Sequence, residues 1–94
     1  MTDEETIEAA LLGEKVREFV ESDVGMGLII LAERDALSAL EKLADVDPDD
    51  TKTIRKLQGE VKLYQSFKGW LSELVSRGEE AEKVYKQQRD NDES

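Results

Sequence analysis

TKTIRKLQGEVKLYQSFKGWLSELVSR, residues Thr51–Arg77, is the stretch whose reading decides the fold. It has no proline and carries the chain's only Trp. It sets Ile54, Leu57, Val61, Tyr64, Phe67, Leu71, Leu74 and Val75 at steps of three and four, the spacing of one helical face. At ~1.5 Å per residue such a helix is about 40 Å long, long for a chain of 94 residues. On a wheel of about 100° per residue with Lys52 at zero, Ile54, Val61, Leu57 and Tyr64 fall at about 200°, 180°, 140° and 120°. Leu71, Phe67 and Leu74 follow at about 100°, 60° and 40°. The stripe drifts backward, as a repeat shorter than 3.6 does, and this predicts the left-handed supercoiled packing of bundles and coiled coils.

The same stretch is the one basic segment of an acidic protein. The net charge is −10, yet residues 51–78 hold six bases and two acids. Residues 1–23 hold eight acids and two bases, residues 24–50 seven and two, and residues 79–94 six and three. Lys52, Arg55, Lys56, Lys62 and Arg77 lie opposite the apolar stripe on the wheel; Lys68 points elsewhere. Leu63 and Trp70, seven residues apart, fall at about 20° and 0°, on that basic side. Two readings stand. Either an N-terminal or C-terminal segment folds over the pair, or they are exposed and form an apolar anchor with a charged rim, the composition of an interface hot spot. The candidate protein interface is Leu63 and Trp70 with Arg55, Lys56, Lys62 and Phe67.

Upstream, Thr2 followed by Asp3, Glu4 and Glu5 reads as a capped helix start with acids facing the positive helix end. Ile7, Leu11, Leu12, Val16, Phe19 and Val20 make the apolar stripe of that first helix. Gly13 inside it costs on the order of 1 kcal/mol against Ala; it permits a close helix crossing or is merely tolerated. Ser22 to Gly27 predicts a break or sharp kink, with Ser22 or Asp23 as a new cap. Gly25-x-Gly27 lacks the third glycine, the preceding strand and the Lys of a phosphate loop. In the second helix Ile29, Ile30, Ala36, Leu37, Leu40, Leu43 and Ala44 are expected on one side. Leu28–Ala32 is apolar all round and asks for cover from several directions, by helices one and three or by a partner chain.

Asp45-Val46-Asp47-Pro48-Asp49-Asp50 is the clearest boundary, with Pro48 suited to a first helical position and aspartates able to cap the next helix. Its four aspartates lack the alternating ligands, central Gly and closing Glu of a calcium loop. Gly78 reads as the stop of helix three. Glu79 to Gln88 then forms a further helix or extends the third, and residues 90–94 read as a disordered acidic tail. The expectation is an all-α single domain over 1–89, with helices at about 3–21, 24–45, 50–77 and 79–88. Helices two and three form a long antiparallel hairpin with helix one packed alongside, a three-helix bundle-like arrangement.

Composition excludes much chemistry. Without His or Cys there is no usual general base, no commonest metal ligand, no thiolate and no disulfide. No nucleophile–base pairing, metal spacing or cofactor motif is present, so the expectation is a non-enzyme without cofactor or metal. The longest apolar run, Leu28–Ala32, is far short of the ~20 residues of a membrane span. The acidic N-terminus is not a signal or transit peptide, which predicts a soluble protein of the cytoplasm. A net charge of −10 opposes direct binding to nucleic acid or anionic membrane.

Leu12-Gly13, Phe19-Val20-x-Ser22-x-x-Gly25, the Asp47-Pro48 turn, Ile54-Arg55-x-Leu57-Gln58 and Phe67-x-x-Trp70-Leu71 together resemble small acidic helical proteins of the structural and packaging gene cassettes of tailed phages and prophages. The resemblance spans about residues 11–82. It implies a role in particle assembly in the host cytoplasm, with incorporation in a virion, and no catalytic residue. The functional expectation is an assembly or adaptor protein acting through helix-mediated contacts with itself or a protein partner. The alternative is an acidic nucleic-acid mimic that inhibits a basic protein, with carboxylates of helices one and two standing where phosphates would be.

Overall fold

A computed structural model describes residues 3–93. Among them are three helices and no strand: α1 Asp3–Glu21, α2 Asp23–Asp45 and α3 Thr51–Glu93. The proposed Thr2 cap lies outside the described residues. Helix α3 is a 43-residue rod, about 64 Å at ~1.5 Å per residue, and it accounts for the longest dimension of the molecule, 67 Å. The other two extents are 27 and 16 Å, two helices wide and one helix deep given helix diameters of about 10–12 Å. Helices α1 and α2 lie end to end along α3, each antiparallel to it and scarcely touching one another. The all-α class holds. The arrangement is a single layer of two rods, and α1 does not form the third side of a bundle.

The boundary expected at Gly78 is absent: α3 passes through it and through residues 90–93 assigned to a tail, while Ser94 lies outside the described residues. The reason is tertiary. A Cβ built on Gly78 would stand 2.7 Å from the Cα of Gly13 and 3.1 Å from the Ala9 carbonyl oxygen. One on Gly13 would meet the Gly78 Cα at 2.7 Å and the Leu74 carbonyl oxygen at 3.0 Å. The two glycines let the backbones of α1 and α3 touch, and this contact gives Gly78 a place inside a helix. Of the two readings of Gly13, the close crossing is the one the structure shows.

Contact that close selects small residues for the seam. Thr6 and Gly13 of α1 are buried, as are Gly78 and Ala81 of α3. Of the larger residues expected as the α1 core, Val16, Phe19 and Val20 are half-buried, whereas Ile7, Leu11 and Leu12 sit on its flanks, Leu11 being 52% exposed. An Arg17–Glu79 ion pair of 2.6 Å, about half exposed on both sides, adds to the α1–α3 junction, worth about 0.2–1 kcal/mol. In α2 the inward positions are Gly25, Ile29, Ala32, Ala36, Ala39 and Leu43, alternating by four and three. Ile30, Leu37 and Leu40, expected on that side, are exposed, because a partner rod reaches only the a/d-like seam of α2. On α3 all eight residues of the stripe quoted above are buried or half-buried.

Two punctuations shape the outer rod and its return. Ser22 is the only residue between α1 and α2. Its hydroxyl donates to the Phe19 carbonyl at 2.6 Å and accepts from the Gly25 amide at 3.0 Å, capping α2. A Cβ on Gly25 would overlap the Phe19 carbonyl. In the loop of residues 46–50, the Asp50 amide donates to the Asp47 carbonyl at 2.9 Å. Pro48 thus occupies the second position of a β-turn, where its fixed φ fits, and not the first turn of α3. Asp50 accepts from the Thr53 amide at 3.1 Å and from its hydroxyl at 2.7 Å. These two bonds, side chain first, hold the Asp50 carboxyl below its ordinary pKa.

Gly13→Ala and Gly78→Ala each destabilise by about 1–3 kcal/mol, since backbone atoms must move apart. Gly69→Ala, with open space around it, is neutral or stabilising by up to ~1 kcal/mol. Thermal denaturation of the three variants checks the contrast. For Asp50 the folded pKa is depressed, so its stabilisation is present above the unfolded value of 3.8 and is lost as pH falls through the lower folded value. Asp50→Ala therefore lowers the melting temperature at neutral pH, and the gap to the parent narrows as the pH is taken below 3.8.

Candidate functional site

The seam leaves the large apolar side chains on the two broad faces of the layer, and on one face they converge. Leu28, Ala32, Asp35, Ser38 and Lys42 of α2 face Glu60, Leu63, Tyr64, Phe67 and Trp70 of α3 across an open groove of about 720 Å³. Leu63 is 66% exposed and Trp70 58%. Neither α1 nor the C-terminal part of α3 covers them, because both are engaged with each other further along the rod. Phe67 is half-buried and forms part of the groove floor beside Ala32. Val24 and Leu31 occupy the same α2 flank as Leu28 by helical spacing and are also exposed. Lys42 and Glu60 stand at the end toward the 46–50 loop, and Asp35 midway along the α2 wall.

Among the residues predicted for the interface, the structure brings Leu63, Phe67 and Trp70 together in this groove. Lys56 lies in the adjoining cleft toward the 46–50 loop, with Glu41, Lys42, Asp45 and Leu57. Arg55 and Lys62 are exposed on α3 outside the groove lining. The α2 wall was not in the predicted set. Its signal in the sequence was the all-round apolar Leu28–Ala32 run, which asked for cover without saying on which side. A second exposed group, Met26, Ile30, Leu37 and Leu40, lies on the opposite flank of α2.

The groove is lined mainly by apolar and aromatic side chains, with Asp35, Ser38, Lys42 and Glu60 as its polar groups. Among the described residues no group of three or more acids could hold a metal ion, and no buried side-chain nitrogen or oxygen lacks a partner. Asp50, whose carboxyl is held below its ordinary pKa by its bonds to Thr53, is a helix cap outside the groove lining. Among the described residues no helix is long and apolar enough to cross a membrane. Comparison with protein-family models, curated proteins and solved structures gives no match.

The groove residues differ sharply from the seam in what they do for the fold. Leu57, 6% exposed, is core, and Leu57→Ala costs about 2–5 kcal/mol. Leu63→Ala costs less than about 0.5 kcal/mol. Urea denaturation at concentrations where the chain is monomeric separates the two.

Proposed function

We propose that the protein is a non-enzymatic assembly or adaptor protein, and that it works by docking a helical surface of a protein partner on the α2–α3 groove. The observation that carries this reading is the exposed Leu63–Trp70 pair at a largely apolar groove that also holds Asp35, Lys42 and Glu60. A buried aromatic anchor in such a setting supplies most of the energy of a typical protein interface, while the rim charges set orientation and on-rate. Lys56, Lys62 and Arg55 flank the groove on α3 and supply a basic border. The resemblance to phage-cassette proteins points the same way, toward particle assembly.

The nucleic-acid mimic remains a second reading because the acids of α1 and α2 are all exposed, giving residues 1–50 fifteen acids against four bases. Solvated helices carry the same charge, so the groove is the stronger guide. One experiment separates the two. In the docking reading, replacing Leu63 and Trp70 together by Asp abolishes association and leaves helicity, followed by circular dichroism, unchanged. Loss of helicity would make the pair core. A complex with a basic protein that survives the double substitution, dissolves steeply with salt and is displaced by DNA would establish the mimic.

A further inference from the structure

We infer that the occupant of the α2–α3 groove is a second copy of this chain, docked about a two-fold axis so that the basic α3 of each copy lies over the acidic α2 of the other. This rests on the reading of the groove as a docking face and adds the identity of the partner.

The first argument is area. The chain exposes 7414 Å², whereas a compact monomer of 10.6 kDa exposes about 5,500 Å² by the usual scaling. The surplus of about 1,900 Å² exceeds the ~800 Å² that each partner loses in a standard interface. Its source is the single-layer architecture. Helical domains bury their stripes between layers, and here the second layer is missing from the chain itself. A copy of the same rod supplies a layer of matching length.

Charge is the second argument. Two molecules of net charge −10 repel at long range, and segments of opposite sign laid against each other offset that repulsion. Residues 24–50 carry −5 and residues 51–78 carry +4, while the charged groups on the groove lining itself are Asp35 and Lys42 from α2 and Glu60 from α3. A two-fold axis makes the contact reciprocal: wherever residue i of one copy meets residue j of the other, j also meets i. Placing α3 over the partner's α2 therefore sets the basic segment of each copy against the acidic segment of the other, twice. It also sets the large anchors Leu63 and Trp70 of each copy toward the groove of the other, where Ala32 leaves room.

Trp70, the only Trp, reports on this face directly. The experiment is light scattering with Trp emission over a dilution series of the full chain and of Leu63→Asp, with circular dichroism as the folding control. The expected result is a two-chain mass with blue-shifted emission that moves red on dilution, and a one-chain mass with red emission for the equally helical Leu63→Asp. A one-chain mass with red emission for the parent at all concentrations overturns the second copy and leaves the docking face open to another protein. A two-chain mass that Leu63→Asp does not alter also overturns it, placing self-association elsewhere, for example on the Met26–Leu40 flank. A one-chain mass with blue emission overturns both readings, since Trp70 would then be covered within the chain.

Discussion

The contact between the backbones at Gly13 and Gly78 governs the rest of this structure. Two helices can touch there only because neither glycine carries a Cβ; a methyl on one would fall 2.7 Å from the Cα of the other. Once the axes are that close, the α1–α3 seam beside the glycines takes small residues, and Thr6 and Ala81 are what it buries. Ile7, Leu11 and Leu12 of α1 are left with the flanks. The usual distribution, bulky apolar groups inside and small ones at the margins, is partly reversed. A close seam also keeps α3 helical through a glycine that in isolation favours a stop, so the rod continues to Glu93.

From the narrow seam follows the open face. Two rods side by side have no third element to cover their broad surfaces, and the described residues contain none. In α2 the inward positions alternate by four and three, as expected where a helix meets one neighbour along a seam. Its apolar surface is wider than that seam. The excess emerges on both flanks, and on one of them it meets the Leu63–Phe67–Trp70 side of α3 to make the groove. Fold and candidate function therefore share one cause: a chain with more apolar surface than its own topology can bury.

Helix α3 was legible in the sequence from residue spacing alone, because its eight-residue stripe consists of large apolar groups and their periodicity is the face the partner sees. Spacing also placed Leu63 and Trp70 off that face. Ser22 announced its break through a hydroxyl placed three residues before Gly25. The extent of α1 was legible, but the first half of its apolar stripe was misread for a physical reason: periodicity weighs Ile7, Leu11 and Leu12 above Thr6, Ala9 and Gly13, whereas a close crossing rewards the residues that occupy least space. Gly78 was misread in the same way. Its helical role depends on Gly13, remote in sequence, and local rules see only a common helix terminator. On α2, Asp35 and Ser38 interrupt the groove-lining stripe, so the wall opposite Trp70 could not be told from the other flank.

We propose that a second copy of the chain completes this single layer of helices. Small-angle X-ray scattering over a concentration series tests it most directly. The account predicts a particle of twice the 10.6 kDa chain mass whose longest dimension stays close to 67 Å, because the copies lie side by side. A particle of one chain mass with a radius of gyration near 19.3 Å at every concentration would contradict it.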